Sequence, residues 1–232
     1  MTDLAIRTEK LTKVYTETTQ GGFKRMTTVG VEDLNLEVQR GEVFAFLGPN
    51  AAGKTTTIKL LTRLHYPTKG KVWILGNPHQ KRTSMYQIGY LPEQPHLYEY
   101  LTGREFLDFI GRIFGLGIQI RKHRIGTLIE KVGLEGRIDQ LVHGYSRGMV
   151  QRLALAQALL NDPELLILDE PMSNLDPIGR KDFRDLIFDL KKQGKTIFFS
   201  SHILSDAEMI ADRIAILKEG HLINVGTLDD FA

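Results

Sequence analysis

The chain has 232 residues, 42% hydrophobic and 25% charged, which suits one globular unit with a sizeable core and room for an inserted subdomain. Its 30 Lys and Arg face 28 Asp and Glu for a formal charge of +2, a near balance that by itself argues for neither a nucleic-acid partner nor a membrane surface. The absence of cysteine excludes disulfides and thiolate metal sites, and no apolar run approaches the ~20 residues of a membrane span.

Met1-Thr2-Asp3-Leu4 lacks the basic and apolar regions of a signal peptide. Residues 3–8 and 12–16 alternate enough to predict two short strands. Thr16 to Gly30 is Thr-rich and carries the turn signal Gly21-Gly22, so it is expected to be a long hairpin or partly mobile. Leu34 to Val38 alternates as a strand, and Arg40-Gly41 turns into Glu42-Val43-Phe44-Ala45-Phe46-Leu47, apolar on both faces as a central parallel strand should be. Gly48-Pro49-Asn50-Ala51-Ala52-Gly53-Lys54-Thr55 follows, and then Ile58, Leu60, Leu61 and Leu64 at helical spacing. Strands are predicted at Gly70–Leu75 and Ile88–Leu91.

From Thr102 to about Asn161 the pattern turns helical. Phe106, Phe109, Ile110 and Ile113 mark one amphipathic helix, Ile125, Leu128, Ile129 and Val132 a second, and Met149, Leu153, Ala156 and Leu160 a third. The α/β rhythm then resumes. Leu165–Leu168 is a strand, Phe183, Leu186, Ile187 and Leu190 face inward from a helix, and Thr196–Ser200 is a strand. A helix over about 204–211 and strands at 213–218 and 221–225 complete the chain.

The stretch Gly48–Thr55 fits Gly-x-x-x-x-Gly-Lys-[Ser/Thr], a phosphate-binding P-loop. Strand, glycine-rich turn and helix is the order the chemistry needs. Glycines let the backbone approach a phosphate, and the free N–H groups of the helix start face the anion. Lys54 would bridge the terminal phosphates and the Thr55 hydroxyl would ligate Mg²⁺. Asp169-Glu170 ends a fully apolar strand, where ligands bind in open parallel sheets. Asp169 suits Mg²⁺ binding through water, and Glu170 suits orienting a water for attack on a γ-phosphate. His202 follows Thr196–Ser200 at the same sheet edge. Asp176-Pro177 has the composition of a helix N-cap and first helical residue. Gln94 sits on a loop stiffened by Pro92 and Pro95. Tyr15 is either a packed strand aromatic or a ring that stacks on a base.

In this combination the residues resemble the ATP-binding subunits of ATP-binding cassette (ABC) transporters over almost the whole chain. Tyr15 matches the A-loop, Gly48–Thr55 with Thr56 the Walker A motif, and Gln94 the Q-loop. Leu165–Asp169 matches Walker B, Glu170 the catalytic glutamate, Ser173–Asp176 the D-loop and His202 the H-loop. Tyr145-Ser146-Arg147-Gly148-Met149 is similar to the Leu-Ser-Gly-Gly-Gln signature, with Ser146 and Gly148 kept. This variant, with Pro92-Glu93-Gln94-Pro95, resembles exporter-type cassettes for drugs, peptides, polysaccharides and antibiotics. Ala51 stands where Gly is common in the family. The resemblance implies an α/β fold: a P-loop NTPase core with a parallel sheet, an N-terminal antiparallel β subdomain and an inserted α-helical subdomain. In this division about 1–95 and 163–232 form the core and about 96–162 the insert.

It further implies an ATPase that uses ATP and Mg²⁺. Glu170 and His202 are expected to act on the water and γ-phosphate, with Thr55, Gln94 and Asp169 at the metal. Tyr15, Gly48, Pro49, Asn50, Ala51, Ala52, Gly53, Lys54, Thr55, Thr56, Gln94 and Asp169 would bind nucleotide. Ser146, Arg147, Gly148 and Met149 of a second copy would cap the ATP, with Asp176 in the D-loop beside it. A separate integral membrane permease would dock near residues 94–114 and hold the subunit at the cytoplasmic face of the membrane, without nucleic acid. The alternatives are a soluble ABC-type switch in translation or DNA repair, which usually has two cassettes or a long coiled-coil insert, and a different P-loop enzyme. No Asn-Lys-x-Asp guanine motif appears to support the latter.

Overall fold

The structure, a computed structural model, describes residues 3–18, 25–79, 81–173 and 175–231. Its strands are β1 (Leu4–Thr18), β2 (Arg25–Gln39), β3 (Val43–Leu47), β4 (Lys69–Ile74), β5 (Asn77–Pro78), β6 (Ile88–Leu91), β7 (Leu165–Leu168), β8 (Thr196–Ser201), β9 (Arg213–Lys218) and β10 (His221–Gly226). Its helices are α1 (Lys54–Leu61), α2 (Gly103–Ile113), α3 (Ile118–Lys131), α4 (Arg147–Leu159), α5 (Pro177–Lys192) and α6 (Leu204–Glu208). One sheet has the order β2-β1-β4-β5 and is antiparallel throughout. The other has the order β10-β9-β3-β8-β7-β6, in which β9, β3, β8, β7 and β6 run parallel and β10 antiparallel.

β3 lies inside the larger sheet and is buried along its whole length. Because successive side chains point to opposite faces, it feeds two cores. Phe44 and Phe46 pack on Phe198, with ring centroids 5.8 and 5.4 Å away, in the cluster that holds Ile58 and Leu61 of α1 and Ile6, Leu11 and Leu34 of the antiparallel sheet. Val43, Ala45 and Leu47 join Leu166, Leu168, Ile197 and Phe199 on the other face, beneath Phe106, Leu128, Leu153 and Phe183 of the helices. Each fully buried side chain of this size contributes about 1.5–3 kcal/mol relative to exposure, so β3 is fixed from both sides. The helices α2, α3 and α4 follow one another between β6 and β7 with no strand between them.

Three local expectations are revised. The two strands expected at 3–8 and 12–16 are one strand, β1. Register shifts between Thr8 and Leu11, Leu11 and Lys13, and Lys13 and Val14, with Lys10 at φ 46°, interrupt its alternation without ending its pairing. The strand expected over 34–38 is the end of β2, which pairs with β1 from Gln39↔Leu4 to Arg25↔Thr18, so a hairpin arm does occupy the Thr-rich segment. The turn signal Gly21-Gly22 lies outside the described residues. In α2 the buried residues are Gly103, Phe106, Leu107 and Gly111, while Phe109 is 40% and Ile113 64% exposed. The helix has one broad apolar face, wider than its neighbours cover, and periodicity cannot say which part of that face is buried. Gly111 settles the choice: a Cβ there would lie 2.5 Å from Cδ of Arg121, so α3 packs against the glycine side.

Candidate nucleotide-binding site

The order β3-β8-β7 brings the carboxyl ends of three adjacent parallel strands to one edge, so the residues that follow Leu47, Ser201 and Leu168 meet there. The first is the loop Gly48–Gly53. A Cβ on Gly48 would lie 2.4 Å from the Leu217 carbonyl oxygen, and one on Gly53 only 2.2 Å from that of Gly30, so both positions need glycine for close packing. Gly53, at φ 105°, turns directly into α1, whose first-turn N–H groups open toward the loop. Ala51 has φ 62°, a left-handed conformation that favours glycine, and it is exposed.

Lys54 is 6% exposed. Its Nζ donates to the carbonyls of Gly48 at 2.6 Å and Pro49 at 3.1 Å, and lies 3.2 Å from Oε1 of Glu170. The other Glu170 oxygen, Oε2, lies 2.9 Å from Nδ1 of His202. Glu170 adopts φ 47°, a strained value for a non-glycine residue. Its N–H donates to Oγ of Ser200 at 2.9 Å, and the Ser200 hydroxyl donates to Oδ1 of Asp169 at 2.7 Å. Ser200 is fully buried and so aligns both acids from the adjacent strand. Burial pushes the Asp169 carboxyl above the usual range. Hydrogen bonds from Ser200 and Thr55 oppose this, the Glu170 charge reinforces it and the Lys54 charge opposes it. The neighbouring Tyr90 hydroxyl is pushed up to about 12, first by burial and then by the Asp169 charge.

These groups border a cleft of about 510 Å³ lined by Tyr15, Thr28–Gly30, Asn50–Thr56, Glu93, Glu170, Ser173 and His202. Tyr15 forms one wall. Its hydroxyl lies 2.9 Å from Nδ1 of His65 and 3.4 Å from Oγ1 of Thr56, and its ring lies 5.3 Å from the Lys13 ammonium. Burial, with Lys59 and Lys13, pulls the His65 imidazole down.

Gln94 is exposed and lines a neighbouring cleft of about 530 Å³ with His96, Tyr145, Arg147, Val150 and Gln151; Glu93 and Ser173 border both clefts. Ser146 caps α4, its Oγ accepting from the Met149 N–H at 3.3 Å, and Ser146 and Arg147 are exposed. None of Ser146, Arg147, Gly148 and Met149 lines the cleft that holds Lys54. Asp176 caps α5 by accepting from the Gly179 N–H at 2.8 Å, as its composition predicts. Asn174, in the same loop, lies outside the described residues. Sequence reasoning missed Ser200, His65, Thr28 and Glu93. Ser200 had a usable signal, because a hydroxyl ending an apolar strand beside the acid-bearing strand is placed to bind them.

The arrangement can hold a polyphosphate and divert a water's proton. The Thr55 hydroxyl, close enough to draw the Asp169 carboxyl downward, and that carboxylate form an all-oxygen pair of the kind Mg²⁺ takes together with phosphates and waters. Among the described residues no three His, Asp or Glu side chains cluster as a metal cage. The Glu170 carboxylate, anchored by Lys54 on one side and His202 on the other, is a base held against the loop's lysine.

A scan of protein families matches residues 31–173 to the family described as ABC transporter. An ABC transporter ATP-binding protein of Nostoc sp. is 47% identical over 231 residues, 99% of this chain and 68% of that protein. The bacitracin transport ATP-binding protein BcrA of Bacillus licheniformis is 44% identical over 94% of this chain and 68% of its own. A solved structure of an ATP-binding subunit of an ABC transporter superposes with a TM-score of 0.85 at 34% identity, over 97% of this chain and 91% of that one. The chain spans between 63% and 68% of the length of the first curated relatives it matches.

Proposed function

We propose, for a chain that belongs to the ABC transporter family as an ATP-binding, ATP-hydrolysing cassette, that two copies close on ATP and each completes the other's site. One observation carries this reading: Ser146 and Arg147 are exposed, and none of Ser146–Met149 lines the cleft that holds Lys54 and Glu170. A helix N-terminus whose capping hydroxyl still has its proton to donate is suited to a γ-phosphate, and a second copy in head-to-tail arrangement would present it.

In that assembly Tyr15 stacks on the base, and Gly48–Thr56 with Lys54 cradle the phosphates. Thr55 and Asp169 would hold Mg²⁺, which when bound would supply charge neutralisation for the phosphates. Glu170 accepts a proton from the attacking water, and His202, hydrogen-bonded to Glu170, orients the γ-phosphate. Gln94 relays the state of the site from its adjoining cleft, and Asp176 holds its loop at the interface. In the division proposed here, 1–95 and 163–232 form the nucleotide-binding core and 96–162 the helical insert.

The membrane partner is a separate permease that docks near residues 94–114. An exposed aromatic cluster there supports this: Tyr98 is 45% exposed and Tyr100 74%, and Phe109 lies 5.5 Å from Tyr98. No described helix is long and apolar enough to cross a membrane itself. The signature variant and the bacitracin transport of a relative favour export, with the subunit at the cytoplasmic face. The near-neutral charge offers nothing to nucleic acid. The test is light scattering of the Glu170→Gln protein with and without saturating ATP. A doubling of mass that disappears in Ser146→Arg supports the reading; a monomer at all ATP concentrations overturns it.

A further inference from the structure

We propose that Arg180 is a positioning residue for His202, a strut through which the loop after Glu170 and the loop carrying His202 share one setting. The proposal rests on the reading above in taking His202 as the γ-phosphate ligand. Arg180 lies in the first turn of α5, where its N–H donates to the Asp176 carbonyl at 2.8 Å. Its guanidinium reaches two ways. Nη1 donates to Oδ1 of Asp206 at 3.1 Å, and Nε to the carbonyl oxygen of Leu175 at 3.4 Å. Leu175 belongs to the loop between Glu170 and α5, and Asp206 to the short helix α6 that begins just after His202.

Asp206 is 4% exposed, and Arg180 is its ion-pair partner among the described residues. A carboxylate so buried holds its place only while its partner stays. The helix that carries it has five residues, and its N-cap Ile203 supplies no side-chain cap. The His202 loop is held by β8 on one side, by the Ser201 hydroxyl bonded to Ile203, by the bond of His202 to Glu170 and by Ala207 in the core, and the Asp206–Arg180 pair, one helical turn beyond His202, is the tie that reaches the loop before α5. An apolar pair in this place would hold the fold as well. A guanidinium fork adds direction, because its donors point along fixed lines to both loops at once. A shift of the loop at Leu175 is then felt at Asp206, and so at His202. In the proposed dimer that loop borders the second copy, so the strut lets the approach of the second copy set the histidine of the first.

The experiment measures kcat, KM and melting temperature for Arg180→Gln, Arg180→Lys, the double variant Arg180→Leu/Asp206→Leu, and His202→Ala. Arg180→Gln is expected to lose about 10- to 100-fold in kcat with KM within about twofold, since displacement of a catalytic group by about 1 Å costs rate rather than ground-state binding. Arg180→Lys, which reaches Asp206 without the fork, recovers part of the loss. Arg180→Gln leaves a buried carboxylate unpaired and is the variant at risk of misfolding. The double variant removes that charge, melts within about 4 °C of the parent and keeps the kcat loss. A double variant with parental kcat beside an inactive His202→Ala overturns the strut alone. Parental kcat in His202→Ala overturns the reading of the site on which it stands. A fall in kcat that tracks melting temperature across the series, with KM rising in step, also overturns the strut.

Discussion

Replacing Glu170 by glutamine removes one negative charge from a place where it serves two partners. Oε1 is 3.2 Å from the Lys54 ammonium, and both side chains are under 10% exposed. At an effective dielectric of about 20 the gross attraction at that separation is about 5 kcal/mol. Much of it is offset by desolvation, and a charge-assisted hydrogen bond of this kind contributes about 1.5–3 kcal/mol net. In the nucleotide-free chain Glu170 thus occupies the cation that the phosphates need. Glutamine frees Lys54, so a non-hydrolysable ATP analogue should bind roughly 10- to 100-fold more tightly. The same change leaves a buried ammonium with no anion in contact, held by neutral acceptors: the Gly48 and Pro49 carbonyls and the glutamine amide oxygen. The free protein should therefore melt lower, and the nucleotide should raise its melting temperature by more than it raises the parent's. Turnover should fall by about 10²–10⁴-fold for want of a base. Fluorescence titration gives the affinity, phosphate release the rate and calorimetry the two melting shifts. Near-parental turnover would remove Glu170 from the base role. Unchanged or weaker affinity would refute the competition between Glu170 and phosphate for Lys54.

Lys54→Ala should abolish measurable ATP binding by titration calorimetry; affinity equal to the parent's would count against the whole nucleotide assignment. Ala51→Gly relieves a left-handed backbone at an exposed position, a gain of about 1–2 kcal/mol reduced by the greater freedom of glycine in the unfolded chain. Its melting temperature should rise by about 1–4 °C with ATP affinity unchanged, and a fall would show the conformation is not strained. Asp169→Asn keeps an oxygen for the Ser200 hydroxyl but removes a charge that burial disfavours. Because the folded-state pKa of Asp169 is raised, the stability it contributes is full below its ordinary value and is lost as pH rises through the raised one. The asparagine variant should therefore out-melt the parent near neutral pH, by an amount that shrinks toward acid, while Mg²⁺-dependent ATP binding is lost. A constant difference across that range would show that Asp169 titrates normally.

Much of this site can be read from sequence because its parts follow strand ends. An apolar run such as Leu165–Leu168 announces its own terminus, and what comes next must lie at the sheet edge. The helix start after Gly53 and the caps at Ser146 and Asp176 are likewise local chemistry. What escaped depends on where chains cross. β1 hid its length because bulges break a period of two while hydrogen bonds continue. α2 misled through Phe109 and Ile113, since an apolar residue at helical spacing says nothing about which neighbour will cover it. Gln94, stiffened between prolines, lines the cleft beside the one that holds Lys54, a placement that no spacing encodes. Arg180 and Asp206 are unremarkable in sequence and meet only because α5 and α6 end up adjacent.

The pairing of β3 also bears on how the protein is made. Val43 forms its ladder with Ile197, and Phe44 with both Phe198 and Arg213, strands that leave the ribosome long after it does. The turn at Gly220 closes the structure later still, accepting from the Glu32 N–H and donating to the Ala52 carbonyl in the P-loop. A nascent chain therefore carries the Val43–Leu47 run as an unpaired apolar edge until β8 and β9 have been made, the state in which strands find wrong partners. Competence to take up nucleotide waits on those later strands. A chain arrested before Thr196 would hold the whole P-loop sequence without the two strands that flank β3.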